Sequence, residues 1–198
     1  MKLAESFYQR ANVVKIAREL IGKGLFTQIH GVTTGGIIVE TEAYSWKERG
    51  CHAYGAKKTT RNAIMFEKGG HSYVYLCYGM HHLFNVVTNN TNVADAVLIR
   101  AIEPVEGIDL MKVRRGKLLN EFHLTSGPGK LTKALGIDRK WNGKSLVGNE
   151  IWLEDLGKNI SAARIVRGPR IGIDYAGDDA SLPWRFTLRG SPWISKRT

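Results

Sequence analysis

The chain has 198 residues, 43% of them hydrophobic, which is enough for one ordinary domain with its own apolar core. No run of 18 apolar residues suggests a transmembrane helix, and the charged start Met1-Lys2-Leu3-Ala4-Glu5 does not read as a secretory signal. Two cysteines, Cys51 and Cys77, are too few for a disulfide framework, so a reducing, bacterial cytoplasmic setting is expected, with a monomer as the default. Lys and Arg number 29 against 18 Asp and Glu, a net charge of +11. That excess suits a polyanion such as nucleic acid, because basic side chains release its counterions. An anionic membrane surface, an acidic protein or mere solubility would also suit it. The basic residues, among them Lys112, Arg114, Arg115, Lys117, Arg164, Arg167 and Arg170, are spread along the chain. This predicts a folded binding surface rather than a basic arm.

In chain order, Val13, Ile16 and Leu20 have helical spacing, with Asn12 as the cap and Gly22 and Gly24 as the stop. Gly35 to Tyr44 reads as a strand. Ser45 to Gly70 is polar and irregular, and an aperiodic stretch of that length is often functional. His71–Tyr78 and Leu83–Thr88 read as a hairpin with Gly79-Met80-His81-His82 at its tip. Ala96–Ile102 is a further strand. Helices are expected near Gly107–Lys117 and Gly129–Leu135, the second entered through Ser126-Gly127-Pro128. Ala163–Ile173 and Trp184–Leu188 read as strands. Strands and crossover helices do not alternate regularly. The expected fold is therefore α+β, a single compact domain spanning 1–198 with a curved, largely antiparallel sheet and a protruding β-hairpin.

Two segments carry chemistry. In Glu40-Thr41-Glu42-Ala43-Tyr44, residues two apart share a strand face, so Glu40, Glu42 and Tyr44 line one side. The pair of carboxylates either faces water at a sheet edge or provides a general base beside an aromatic wall. In the hairpin, Tyr73 and Tyr75 share a face, which is ordinary strand packing or a stacking surface. Tyr78, at the turn, fits a wedge for a base stack, and Asn85 on the returning strand can present its amide to a base edge. His71, His81 and His82 near Cys77 do not make a metal site, since no CxxC or HExxH spacing accompanies them. Gly35-Gly36 and Gly69-Gly70 match no phosphate loop and read as turns.

These residues resemble the alkyladenine (3-methyladenine) DNA glycosylase family. The resemblance runs in order through Val39-Glu40-Thr41-Glu42-Ala43-Tyr44, Thr60-Arg61-Asn62, Met65-Phe66, Tyr73-Val74-Tyr75 and Tyr78-Gly79-Met80. It continues through Asn85, Leu98 to Pro104, Ser126-Gly127-Pro128 and Arg189-Gly190-Ser191-Pro192-Trp193. It implies Glu42 as catalytic base, Tyr44, His52 and Tyr75 around an extruded base, and Tyr78 filling the gap in the duplex. It further implies Asn85 as a discriminator among purines, with Arg100 and the Leu188 carbonyl holding the attacking water. Glu40 belongs to the motif in a structural role. The family's fold is mixed α+β and uses no metal or redox cofactor.

The implied activity is a monofunctional glycosylase acting on duplex DNA with alkylated or deaminated purines, leaving an abasic site. Two departures stand out: His81 and His82 replace bulkier aromatics near the hairpin turn, and Ser45–Thr60 agrees mainly at His52. Two rival readings remain, a non-catalytic nucleic-acid binder and a small-molecule transferase. The binder leaves Glu42 unexplained, and the transferase has no need for the tyrosine-tipped hairpin or the charge.

Overall fold

The computed structural model describes residues 1–116 and 120–195. A short helix α1 (Glu5–Tyr8) leads into α2 (Val13–Glu19), whose cap is Asn12, its side chain accepting from the Lys15 N–H at 2.9 Å. This satisfies one of the N–H groups that a helix start leaves free. The apolar stripe Val13, Ile16 and Ala17 is buried against the sheet.

Among the described residues eight strands follow: β1 (Gly24–Ile29), β2 (Val32–Tyr44), β3 (Ser72–Cys77), β4 (His81–Thr88), β5 (Asp95–Glu106), β6 (Ile151–Glu154), β7 (Ile165–Gly168) and β8 (Arg185–Leu188). All pairings are antiparallel, in the order β3-β4-β5-β2-β1-β6, with β8 also on β2 and β7 on β8. The expected α+β class with an antiparallel sheet is what the chain adopts. Helices α3 (Ile108–Arg115) and α4 (Pro128–Leu135) follow β5. They match the two helices expected there, except that Lys117 lies outside the described residues.

The long strand β2 organises the molecule. Its first half pairs with β1, its second half with β8, and its other edge with β5. Gly35 and Gly36 permit this crowding. A Cβ on Gly36 would sit 2.1 Å from the Glu103 carbonyl oxygen, and one on Gly35 2.1 Å from the Phe26 ring. Both glycines therefore lie within a strand rather than in a turn.

Other boundaries also differ from expectation. The first strand, β1, begins at Gly24, where the sequence pattern suggested only a helix stop, and β6 carried no recognisable signal. The hairpin strands end at Cys77 and resume at His81, so the turn is Tyr78-Gly79-Met80 and both His81 and His82 belong to β4. Ala163–Ile173 is not one strand: only Ile165–Gly168 pairs, because Pro169 cannot donate to a ladder. Ser45–Gly70 is irregular as expected, with two short 3-10 turns at Tyr54–Ala56 and Ala63–Phe66.

Two apolar clusters result. The larger lies between the helices and one sheet face, with Ile16, Leu20, Ile38, Phe84, Ile99, Met111 and Leu131. The smaller holds Cys51, Ala53, Met65, Phe66, Tyr73, Val87, Ala94 and Ala96, with Tyr44 and Tyr75 packed against it. It is the floor on which the Tyr44 and Tyr75 rings stand.

Candidate active site

Cross-strand register builds the site. Glu42 faces Leu98, Leu98 faces Asn85, and Asn85 faces Tyr73, one row across β2, β5, β4 and β3. Since alternate residues share a face, Tyr44, Ala96 and Tyr75 lie on the same side. Register shifts flank Glu40, where two β5 steps from Ala101 to Ile99 match one β2 step from Glu40 to Thr41. Arg100 is the extra residue, and a bulge of this kind re-aims its side chain. It reaches both acids: Nε donates to Glu40 Oε1 at 3.0 Å and Nη1 to Glu42 Oε2 at 3.1 Å.

The two carboxylates are both fully buried, so neither faces water at a sheet edge. Their surroundings differ. Glu40 accepts from Arg100 Nε, from Arg185 Nε at 2.7 Å, from Ser195 Oγ at 2.8 Å and from the Ser195 N–H at 2.6 Å. A carboxylate has about four acceptor positions. Three of these four donors share Oε1, and Oε2 takes the Ser195 N–H alone. Glu42 accepts from Arg100, from Tyr44 Oη at 2.8 Å and from the Ile171 N–H at 2.7 Å. That leaves one lone pair on Oε1. Arg100 and Arg185 offset the two negative charges. Burial lowers the Arg100 pKa, but the charges of Glu42 and Glu40 outweigh it and hold the guanidinium above its ordinary value. Burial first, and then Glu42, raise the Tyr44 phenol well above its usual pKa, so it remains a donor.

Tyr44, Arg100 and Ile171 line a cleft of about 1190 Å³, and Glu42 lies just behind them. The cleft also contains His52, Arg61, Tyr73, Tyr75, Tyr78 and Asn85. Of the residues singled out from sequence, Tyr44, His52, Tyr75, Tyr78, Asn85 and Arg100 are thus brought to one cavity, whereas Glu42 is buried behind Tyr44, Arg100 and Ile171 and Leu188 lies elsewhere. Leu188 is not among the cleft residues. Its side chain packs into the larger core and its carbonyl accepts from the Ser191 N–H at 3.1 Å.

The aromatic wall is held from behind. Tyr75 stacks on Tyr73 with ring centroids 5.4 Å apart, and His52 meets Tyr75 edge-on at 4.6 Å. His52 Nδ1 lies 2.8 Å from Tyr73 Oη. Burial of the imidazole and, second, the Arg61 charge push its pKa down to about 4. Asn62 Nδ2 donates to the His52 carbonyl at 2.8 Å and to the Lys57 carbonyl at 2.9 Å, which ties the irregular segment to the wall. Asn85 Nδ2 donates to the Tyr73 carbonyl at 3.1 Å.

At the hairpin turn, the Met80 N–H donates to the Cys77 carbonyl at 3.1 Å. The two central residues, Tyr78 (φ 50°) and Gly79 (φ 70°), are both left-handed. That suits glycine but strains tyrosine. Tyr78 is 85% exposed.

Three residues escaped the sequence reading. Arg170, counted there among the basic residues of a binding surface, is only 3% exposed and forms a paired bridge to Glu48 at 2.7 Å on both oxygens. Its guanidinium lies 4.8 Å from the Tyr44 ring centroid, so it fixes that ring rather than meeting a phosphate. Ser195 closes the Glu40 network, and Arg185 completes it. Their partners are 155 and 145 residues away in sequence, a separation that gives no local signal. Both cysteines are free. Among the described residues, no His, Cys, Asp or Glu trio is placed to hold a metal, and no helix is long and apolar enough to cross a membrane.

A family model described as methylpurine-DNA glycosylase matches residues 6–192. A protein of Chlamydia felis, provisionally named a 3-methyladenine DNA glycosylase, is 50% identical over 188 residues, covering 94% of this chain and 95% of its own. Proteins of the same provisional name in Bacillus cereus strain G9842 and Clostridium acetobutylicum are 42% and 43% identical. The first match covers 100% of both chains and the second 98% of both.

Proposed function

The chain belongs to the methylpurine-DNA glycosylase family, and from that premise we propose that it excises damaged purines from duplex DNA with Glu42 as the water-activating base. It is a monofunctional DNA glycosylase of base-excision repair, acting as one domain on one duplex and leaving an abasic site. The observation that carries the reading is the asymmetry of the buried carboxylates. Glu40 has four donors, one of them Arg185 away from the cleft, whereas Glu42 has three, Arg100, Tyr44 and Ile171, all of which line the cleft.

A base inside a duplex is shielded, so the nucleotide must first be extruded at a cost of a few kcal/mol, least for a damaged or mispaired base. The +11 charge supports binding to the phosphate backbone. Tyr78 enters the vacated stack. The extruded base lies against Tyr44, His52 and Tyr75, with Asn85 at its edge. Stacking of a cationic purine on these rings contributes about 0.5–2 kcal/mol.

Glu42 takes a proton from a water held on its free lone pair, and that water attacks the anomeric carbon. Arg100 and Tyr44 fix the carboxylate while this happens. As charge develops on the sugar, the carboxylate stabilises its oxocarbenium character. The purine leaves with the bonding electrons. Since Glu42 lies behind its own partners, bulk water is excluded from the reaction.

The test is base release from a methylated duplex by the wild-type protein and by Glu42→Gln. Release by wild type and its loss in the variant are expected. Full activity in the variant would sink the mechanism. Absence of release from any alkylated or deaminated duplex by folded wild-type protein would leave a nucleic-acid binder instead.

A further inference from the structure

The aromatic wall carries a cation of its own. The Arg61 guanidinium lies 5.0 Å from the Tyr75 ring centroid and lines the same cleft. Among the described residues it has no carboxylate partner, unlike Arg170, whose charge under Tyr44 is matched by Glu48. Its exposure allows it to move, while the Asn62 clasp beside it keeps its backbone next to His52. The neighbouring imidazole is held neutral near pH 7, so Arg61 is the charged group at this wall.

We propose that Arg61 sets lesion preference, disfavouring cationic alkylated purines relative to neutral damaged ones. The proposal rests on the base-excision reading above. A base stacking on Tyr75 either displaces Arg61 or shares the ring with it. Displacement costs a neutral base one cation–π contact but leaves it free to accept hydrogen bonds from the guanidinium. An N7-alkylated guanine has lost its N7 acceptor and brings a positive charge against the same group. With the effective dielectric of a partly exposed site, two such charges sharing one ring disfavour each other by about tenfold in affinity. Stacking attracts cationic bases in general, and Arg61 opposes that attraction at one of the two walls. The net preference thus lies between alkylated and deaminated substrates rather than wholly with the cations.

Single-turnover release of 7-methylguanine and of hypoxanthine from otherwise identical duplexes tests this, with spontaneous release subtracted. Arg61→Gln should raise the 7-methylguanine to hypoxanthine rate ratio about tenfold, and Arg61→Lys, which keeps the charge, should leave it near the wild-type ratio. A ratio in Arg61→Gln within about twofold of wild type overturns the proposal. So does an equal shift in Arg61→Lys, which would trace the effect to shape rather than charge. If wild type releases neither base, the excision reading itself falls and takes this inference with it.

Discussion

The buried carboxylate network and the hairpin turn are built in opposite ways. Around Glu40 and Glu42, the three strands β2, β5 and β8 converge with Ile171 and Ser195 on groups with no solvent access, and most acceptor positions are satisfied. At Tyr78, a large aromatic ring is exposed on a strained backbone, with one turn hydrogen bond beneath it. The buried acids are held from several distant segments at once. The exposed ring is left uncommitted, and its local strain persists because β3 and β4 fix the turn.

The largest expected effect lies in the network. Arg100→Met removes the cation shared by both acids and leaves buried negative charge uncompensated, which costs about 3–5 kcal/mol and lowers Tm by roughly 10 °C for a chain of this size. Urea and thermal unfolding measure it. A loss under about 1 kcal/mol would mean the network does not hold this region, and the contrast with the hairpin would collapse.

Glu42→Gln comes next. Loss of the base should slow base release at least about 100-fold, while a neutral group in the same space costs stability only about 1–3 kcal/mol. Rates and unfolding curves on the same preparation separate the two. An activity loss no larger than the stability loss explains would return Glu42 to a structural role like that of Glu40.

At the other region the signs should diverge. Tyr78→Asn relieves the left-handed strain, since asparagine tolerates that conformation, and should stabilise the fold by up to about 1 kcal/mol. Removal of the ring should weaken lesion-duplex binding by about tenfold, in the range of one lost base-stacking contact. Unchanged affinity in a titration with labelled duplex would remove Tyr78 from the DNA interface.

The smallest effect concerns pH. The His52 pKa is depressed in the folded chain, so between the unfolded value and about 4 the unfolded chain binds more protons. The contribution of the neutral imidazole is then full above the ordinary histidine value and lost as pH falls toward about 4. His52→Gln should flatten that part of the Tm-against-pH profile. An unaltered profile would show that the ring is as well solvated folded as unfolded.

Much of the site can be read from local pattern. Period-2 alternation places Glu40, Glu42 and Tyr44 on one face, and Tyr73 with Tyr75 on another strand, without any tertiary information. The ordered motifs then separate Glu42 from Glu40. The pattern fails where long-range contacts decide. Gly24 and Gly35-Gly36 look like stops or turns, yet they lie in paired strands because Phe26 and the Glu103 carbonyl crowd against β2. Arg170 looks like a surface cation and is buried because Glu48 and the Tyr44 ring meet it from distant segments.

The sequence by itself determined the fold class, through its periodicity, and the family, through its resemblance across ordered motifs; among the residues that resemblance named, Leu188 does not reach the cleft. Only the tertiary structure decided why two neighbouring carboxylates differ. Their hydrogen-bond partners, Arg100, Tyr44, Ile171, Arg185 and Ser195, lie up to 155 residues away, and only their convergence gives Glu40 four donors and Glu42 three that all line the cleft. Tertiary structure likewise showed that Tyr78 sits on a strained turn, because the sign of φ is set by the register of β3 and β4 and not by the tyrosine itself.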